Sequence, residues 1–273
     1  MHPDLDWGAL SRAERDAAYD NTAAVADSAA LNAARAARSA AFRAAHPEKL
    51  DLAYGPRPRN RADLFPAADP AAPCLVFIHG GYWQRNAHPE FACLIEGPYA
   101  RGWSAAVLGY TLAPDASLTE IAREIHAALD WLAADGPAHG IAGKLVLSGW
   151  SAGGHLTAFA LAHPAVAAGL AISGVFELGP LRDTALNEKL MLSDSEIVAL
   201  SPLRLPVVQK PLAIAYGTAE LPPLMSDSRD LHARRAAAGA PGALIPVPGA
   251  NHFTIVLQLQ NPDGVLTRQL LAL

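Results

Sequence analysis

A serine flanked by two glycines stands between an apolar run at residues 144–147 and a helix predicted over 152–162. Residues 149–153 form the pattern G-x-S-x-G, with Ser151 at its centre. In such a turn the serine adopts a strained conformation, and a side chain at either glycine would collide with neighbouring backbone. The hydroxyl of Ser151 is then free above a sheet, as a catalytic nucleophile must be.

A second glycine motif lies upstream, where residues 79–83 read His-Gly-Gly-Tyr-Trp after another apolar run. Adjacent glycines let backbone N–H groups approach a substrate carbonyl and stabilise its developing negative charge. The N–H of Ala152, at a helix N-terminus, favours negative charge as well. We therefore predict an oxyanion hole formed by Gly80, Gly81 and Ala152, and we interpret His79 as an anchor of the loop.

Three aromatic residues beside these motifs are candidates for substrate binding. Tyr82 and Trp83 either line the substrate pocket or fill the core beneath the loop, and the sequence leaves both interpretations open. Trp150, directly before the serine, is placed to shape the acyl pocket.

A nucleophilic serine needs a base, and after a G-x-S-x-G turn the partners follow in the order acid, histidine. Of the ten histidines, His232 and His252 lie after the apolar run 212–216. His232 falls within a predicted helix and is interpreted as a surface residue. His252 follows the run 243–247 across a turn-rich loop, and we predict it to be the base. His155 lies in the helix after the serine and is interpreted as structural.

The acid is expected just past the strand predicted over 212–216. Glu220 is the first carboxylate there, and it would hold the tautomer of His252 and stabilise its protonated form. Asp227 and Asp230 are competitors, although Asp227 stands near the start of the next helix, where a carboxylate suits the helix dipole without a catalytic role.

Composition excludes several other classes of protein. With 273 residues, 51% of them hydrophobic and 17% charged, the chain suits one large or two small domains with a sizeable core. A net charge of -5 argues against nucleic-acid binding. No apolar run reaches the roughly 18 residues of a membrane-spanning helix, which predicts a soluble protein. Two cysteines, Cys74 and Cys93, and a start without an apolar leader favour the cytoplasm.

Motifs for metals and nucleotides are missing from the sequence. It contains no H-E-x-x-H, paired C-x-x-C, G-x-G-x-x-G or P-loop pattern. We therefore predict no metal and no cofactor, and a small molecule as the substrate. The sequence does not reveal the oligomeric state, and a homodimer is left open.

Short apolar runs alternate with helical stretches along most of the chain. A parallel sheet covered on both faces produces this pattern, so we predict an α/β fold with helices on both sides. Eight strands are expected, at residues 50–54, 62–65, 74–78, 105–108, 144–147, 170–172, 212–216 and 243–247, the first two forming a hairpin. Helices are expected at 118–134, 152–162, 226–238 and 265–271.

The N-terminal part differs in composition, since residues 23–45 are rich in alanine. We predict a helical extension over residues 1–49 that packs at the edge of the main domain, residues 50–273. Whether this extension forms a lid over the pocket is left open.

The chain resembles the α/β-hydrolases, in the branch that contains the kynurenine formamidases (arylformamidases) and the hormone-sensitive-lipase-like esterases. Segments 79–83, 173–181, 200–203 and 251–256 carry the resemblance, which covers residues 50–273 with a weaker similarity at 18–21. It implies an α/β-hydrolase fold and a Ser-acid-His triad that hydrolyses N-formyl-L-kynurenine to kynurenine and formate.

Some features depart from that family or are shared beyond it. Glu220 stands where the animal formamidases have an aspartate, and many esterases of the wider branch carry a third glycine after the histidine at position 79. A short-chain carboxylesterase is therefore the alternative activity. A non-catalytic, ligand-binding protein of hydrolase fold is the alternative of another class.

Overall fold

The computed structural model describes residues 7–273 and is built around one eight-stranded sheet, as the sequence predicts. Residues 1–6 of the predicted extension lie outside the described residues. The strands run in the spatial order β1-β2-β4-β3-β5-β6-β7-β8. Their bounds are β1 Leu52–Ala53, β2 Arg61–Phe65, β3 Cys74–Ile78, β4 Ser104–Leu108, β5 Leu145–Trp150, β6 Val166–Ile172, β7 Leu212–Gly217 and β8 Leu244–Val247.

The six strands β3 to β8 are parallel to one another. Strands β1 and β2 form an antiparallel hairpin at one edge of the sheet, and β2 is also antiparallel to β4. Because parallel strands all end at the same edge, the segments that follow β3, β5, β6, β7 and β8 meet there. This edge therefore brings together the loop after Ile78, the serine turn after Trp150 and the segments that carry Glu220 and His252.

Ten helices connect and flank the strands within residues 7–273. They are α1 Arg12–Ala17, α2 Asn21–Ala24, α3 Ser28–Ala45, α4 Glu96–Ala100, α5 Leu118–Asp135, α6 Ala152–Ala160, α7 Asn187–Leu190, α8 Asp194–Leu200, α9 Pro222–Ala237 and α10 Val265–Leu271. Helix α9 begins four residues before its predicted start, because prolines at its first positions suit an opening helical turn. Among these helices none combines the length and the apolar character needed to cross a membrane.

The core has two parts, one on each face of the sheet, because successive strand residues point to opposite sides. On β3, Val76 and Ile78 pack with residues of α5, α6 and α9, whereas Leu75 and Phe77 pack with residues of α10 and the 3-10 segment His88–Ile95. All five residues of β3 are buried. Burial on both faces accounts for the unbroken apolar runs in the sequence.

The N-terminal segment is not one helix, as the run 23–45 predicts, but two short helices followed by a long one. Val25 has an extended backbone, with φ −125° and ψ 104°, and its side chain is buried in the second core. That burial interrupts the helical pattern between α2 and α3. Helix α3 then packs across the 3-10 segment His88–Ile95, with Ser39 Oγ accepting from the N–H of Cys93. Both cysteines are free and buried.

A buried ion cluster joins α3 to the hairpin edge of the sheet. Arg43 Nε lies 2.7 Å from Asp63 Oδ2, and Arg43 also bonds Asp51. The Asp63 side chain is completely buried, and His88 Nε2 lies 3.5 Å from its Oδ1. Burial alone would raise the pKa of Asp63, but hydrogen bonds from His88, Arg43 and the backbone N–H of Asp51 lower it overall. The cluster therefore anchors the N-terminal segment through an ionised carboxylate.

We expect Arg43→Met to lower the free energy of unfolding by about 3 kcal/mol, because it leaves the buried Asp63 carboxylate without its cation. Arg38→Met is the matched control: Arg38 lies on the same helix and bonds Glu96, but half of its side chain is exposed. Its loss is expected to cost less than about 1 kcal/mol. Equal effects of the two substitutions in urea unfolding would contradict the anchoring role of the cluster.

Candidate active site

Ser151 occupies a strained turn between β5 and α6. Its backbone has φ 59° and ψ −118°, a conformation that costs energy in any residue but glycine. A Cβ atom on Gly149 would lie 2.2 Å from the carbonyl oxygen of Gly153, and one on Gly153 would lie 1.9 Å from that of Ile78. The glycines are therefore required by the close approach of backbone that the sequence pattern implies.

Glu220 and His252 meet at the same edge of the sheet. His252 Nδ1 lies 2.9 Å from Glu220 Oε2, and both residues are buried. With Nδ1–H donating to the carboxylate, Nε2 is left free to take a proton. Ser151 and His252 line the same pocket. Ser151 Oγ makes no hydrogen bond to a residue in 7–273, and catalytic hydrogen bonds of this kind often shorten only when substrate binds.

Ser173 was not singled out by the sequence, yet it holds the acid in place. It follows β6 with φ 50°, and its hydroxyl donates to Glu220 Oε1 over 2.6 Å. The N–H of Gly217 donates to the same oxygen, also over 2.6 Å. One carboxylate oxygen of Glu220 is thus fixed by two donors, and the other faces His252. The feature of the sequence that could have pointed to Ser173 is the Ser-Gly pair directly after a predicted strand.

The loop after β3 carries the predicted oxyanion glycines. Within residues 7–273 the backbone N–H groups of Gly80 and Gly81 donate to no acceptor. Ala152 is the first residue of α6, so its N–H has no partner inside the helix. A Cβ on Gly80 would lie 3.0 Å from that of Ser151. The N–H groups of Gly80 and Ala152 thus belong to residues that adjoin Ser151, and the oxyanion hole of Gly80, Gly81 and Ala152 stays a prediction.

Asn86 keeps this loop in shape, although the sequence did not identify it. Its side-chain amide donates to the carbonyl of Gly80 over 3.0 Å, and its φ is 73°. Gly81 has φ 122°, a conformation that favours glycine. Arg59 bonds the carbonyls of Asn86 and Tyr110 from the other side. The loop is therefore fixed before any substrate arrives.

The two histidines that belong to the glycine motifs and the helix after the serine, His79 and His155, are buried and make structural contacts. His79 Nδ1 lies 2.9 Å from the Gly80 carbonyl, and its ring stacks on Tyr110. Burial lowers the pKa of His79 to about 3. His155 Nε2 lies 2.8 Å from the Leu200 carbonyl, and burial lowers its pKa to about 4. Both are neutral at pH 7 and neither competes with His252.

The three aromatic candidates differ in position. Trp150 lines the serine pocket, and its Nε1 donates to the His252 carbonyl over 2.8 Å, so it also positions the base. Tyr82 lines the pocket as well. Trp83 is completely buried and packs edge-on against His155, at 4.9 Å between ring centroids, which favours a role in the core over contact with substrate.

The pocket over Ser151 is small, about 70 Å³, and the N-terminal segment forms part of its wall. Asn21, Thr22 and Asn32 contribute to the lining. Tyr82 connects the two sides, since its hydroxyl accepts from the Asn21 amide and donates to the Tyr19 carbonyl. The segment that the sequence left open as a lid thus lies at the pocket. The division into residues 1–49 and 50–273 stays a prediction.

A second pocket of about 250 Å³ adjoins the first. It extends towards the segment between β6 and β7. The two pockets share Asn21, Thr22, Tyr82 and Arg85 in their walls. A substrate whose reacting group lies at Ser151 therefore has room for a larger group in the second pocket.

The residues that compete in the sequence with Glu220 and His252 for the roles of acid and base lie on helix α9. Asp227 is buried in α9, where it accepts from the N–H groups of Phe176 and Glu177, and burial raises its pKa to about 8. Asp230 and the partly exposed His232 lie on the same helix. The hydrogen bond to His252 comes from neither aspartate but from Glu220.

One group of side chains has the composition of a metal site. Asp51, Asp63 and His88 place potential ligand atoms within 4.8 Å of one another. Arg43 already bonds both carboxylates and supplies the positive charge that they require. This is the ion cluster that anchors α3, and its chemistry is accounted for without a metal. The absence of a metal cofactor stays a prediction.

Glu220→Gln is expected to lower kcat by about 10³- to 10⁴-fold. The two donors at Oε1, Ser173 and Gly217, require the amide oxygen there, which turns the amide NH₂ towards His252 Nδ1. Nδ1 must then be unprotonated, so Nε2 carries the proton and cannot act as a base. Steady-state kinetics on an aryl ester measure the loss. A loss of less than about tenfold would contradict this hydrogen-bond pattern.

Comparisons with known proteins agree with this architecture. A family model named BD-FAE matches residues 64–167. The chain is 25% identical to a kynurenine formamidase of Danio rerio, over 81% of this chain and 80% of the relative. A solved structure from Silicibacter sp. TM1040, provisionally described as a thioesterase, has a TM-score of 0.82 and 28% identity, covering 94% of this chain and 99% of that one.

Proteins that are less similar in sequence share the fold. Esterase B from Lactobacillus rhamnosis, whose solved structure carries a tributyrin phosphonate inhibitor, has a TM-score of 0.68 at 19% identity. The match covers 89% of this chain and 92% of that one. At that identity the likeness concerns the fold alone. The chain therefore has the α/β-hydrolase fold, and in sequence it is similar to the kynurenine formamidases.

Proposed function

We propose that this protein is a serine hydrolase that removes a small acyl group, in first place the formyl group of an aryl formamide such as N-formylkynurenine. The observation that carries the proposal is the 2.9 Å contact between His252 Nδ1 and Glu220 Oε2 beside a strained Ser151 in one pocket. Two buried groups held at that distance next to a nucleophile have the roles of orienting acid and general base.

In the first half of the reaction His252 Nε2 takes the proton of Ser151 Oγ as that oxygen attacks the acyl carbon. Glu220 stabilises the imidazolium through Nδ1–H. The negative charge that forms on the carbonyl oxygen is accepted by the N–H groups of Gly80, Gly81 and Ala152. His252 then gives its proton to the leaving amine or alcohol, which departs and leaves Ser151 acylated.

In the second half water replaces the leaving group. His252 takes a proton from the water, which attacks the acyl carbon, and the same three N–H groups hold the oxygen again. The tetrahedral intermediate collapses, His252 returns the proton to Ser151 Oγ, and the acid is released. For a formamide that acid is formate.

The size of the pocket supports a small acyl group. The space over Ser151 is about 70 Å³, and Trp150, Phe253 and the N-terminal residues enclose it. A formyl group fits such a space, and the adjoining pocket of about 250 Å³ has room for an aryl leaving group. The names of the sequence relatives, kynurenine formamidases, point to the same class of substrate.

A short-chain carboxylesterase is the second candidate. It is favoured by the structural likeness to a protein provisionally described as a thioesterase, at 28% identity. The same catalytic residues serve both activities, because ester and amide hydrolysis share the tetrahedral intermediate. A cytoplasmic location and a homodimer belong to the proposal as further predictions.

We expect Ser151→Ala to abolish turnover while leaving the unfolding transition in place, since the substitution removes only the hydroxyl. A fluorophosphonate probe should label the unmodified protein at Ser151 and leave the variant unlabelled, as mass spectrometry of the labelled peptide would report. A protein that neither reacts with the probe nor turns over any ester or formamide would instead be the non-catalytic binding protein.

The substrate class is tested by kcat/KM on N-formylkynurenine, on formanilide and on a short-chain aryl ester. The small pocket over Ser151 predicts the highest value for a formyl group and a decline as the acyl chain lengthens from formyl to butyryl. Efficient cleavage of butyryl esters beside weak cleavage of the formamides would overturn the formamidase assignment and favour the carboxylesterase.

A further inference from the structure

Arg85 lies at the end of the turn that carries the oxyanion glycines. Its backbone N–H donates to the carbonyl of Gly81 over 3.0 Å. A Cβ on Gly81 would lie 2.4 Å from the Arg85 carbonyl oxygen, so the two residues are in close backbone contact. The backbone position of Arg85 is therefore fixed relative to the loop beside Ser151, while its side chain is exposed.

The guanidinium of Arg85 has no hydrogen bond, ion pair or ring contact to a residue in the described range, 7–273. The chain has 17 arginines, and 15 of them bond at least one described residue. The remaining two are Arg85 and Arg123. Arg123 is exposed on α5 and lines a groove beside Tyr54, away from the serine.

Arg85 is also the one cationic side chain in the described walls of the serine pocket and of the adjoining pocket. It belongs to both walls, as does Tyr82. Burial raises the pKa of Tyr82, and the charge of Arg85 opposes that rise, so the guanidinium acts at the junction between the pockets. In the described wall of the second pocket, Arg85 is the one cation with which an anionic group could pair.

The opposite charge is also present in the wall of the second pocket, to which Asp16 and Asp20 contribute. Asp16 is engaged by Arg12 and by the N–H of Ala185. Asp20 caps α2 by accepting from the N–H of Ala23, and its side chain makes no ion pair with a described residue. A cation and a carboxylate without an ion pair, both in the described wall of one pocket, match a group that carries both charges.

We propose that Arg85 is a specificity-determining residue that binds a carboxylate on the leaving-group half of the substrate, and that Asp20 receives an ammonium on the same half. This inference rests on the proposed function and deepens it: the substrate class is an acyl derivative of an aryl amine that bears an amino-acid side chain. A planar guanidinium binds a carboxylate through two parallel hydrogen bonds, whereas a lysine offers a point charge.

The test compares two formamides with the same reacting group. N-formylkynurenine carries the amino-acid group, and N-formyl-2-aminoacetophenone lacks it. Arg85→Gln is expected to raise KM for N-formylkynurenine about tenfold more than for the uncharged formamide, with the larger effect on KM than on kcat, because the contact is made equally in ground and transition states. Arg85→Lys should recover part of the preference. Arg123→Gln is the matched control and should leave both constants unchanged.

Ionic strength gives a readout that a structural role would not affect. The KM of the unmodified enzyme for N-formylkynurenine should rise as salt increases from about 0.05 to about 0.5 M. The Debye length is about 10 Å at 0.1 M and shortens with added salt, so the ion pair weakens across this range. The KM of Arg85→Gln should rise less, because only the contact between Asp20 and the ammonium remains to be screened. An equal loss on both substrates, or an unchanged preference with unchanged salt dependence, would overturn the role of Arg85.

Failure of the proposed function is distinguishable from failure of this inference. If the enzyme cleaves esters but not N-formylkynurenine, the formamidase assignment falls, and Arg85 is then tested on phenyl acetate and 3-acetoxybenzoate. These esters differ by a carboxylate on the leaving group. Arg85→Gln should lower kcat/KM for 3-acetoxybenzoate more than for phenyl acetate; equal effects would reject carboxylate binding by Arg85 whatever the physiological substrate is.

Discussion

The close contact between the serine turn and the end of β3 is the constraint on which the site depends. Gly153 lies so near the carbonyl of Ile78 that a side chain there would come within 1.9 Å of its oxygen. Since the oxyanion loop begins directly after Ile78, this contact sets the distance between the nucleophile and the N–H groups of Gly80 and Gly81. In the proposed mechanism, a looser packing of α6 against β3 would separate the attacking oxygen of Ser151 from the N–H groups that hold the oxyanion.

The strain in the turn is balanced by the surrounding hydrogen bonds. Ser151 and Ser173 both have positive φ, and each N–H bonds the end of a neighbouring strand, at Ile172 and Ala215 respectively. Such conformations persist only where the surrounding structure determines them. Here they turn one hydroxyl towards the pocket and the other towards Glu220, so the sheet edge supplies both the proposed nucleophile and the support of the proposed acid.

The N-terminal segment completes the pocket from outside the sheet. Arg43 and Asp63 fix α3 to the hairpin edge, and Tyr82 bonds Asn21 and the Tyr19 carbonyl across the pocket mouth. The oxyanion loop and the N-terminal segment are thereby linked through one tyrosine. This arrangement reduces the space over Ser151 and turns the wall of the second pocket into a polar surface that carries Arg85 and Asp20.

The sequence by itself determined the elements and the chemistry that local patterns encode. Short apolar runs marked six strands, and a pair of segments separated by glycine and prolines marked the hairpin. The two glycine motifs pointed to Ser151 and its loop, and chain order selected Glu220 and His252. It could not find Ser173, Asn86 or Arg85, or the break at Val25, because no local pattern signals a residue whose role lies in contacts with segments far along the chain. Only the tertiary structure brought Asn21 to Tyr82 and joined the two pockets, since those contacts arise from the packing of the N-terminal segment on the sheet edge and not from the propensity of either segment.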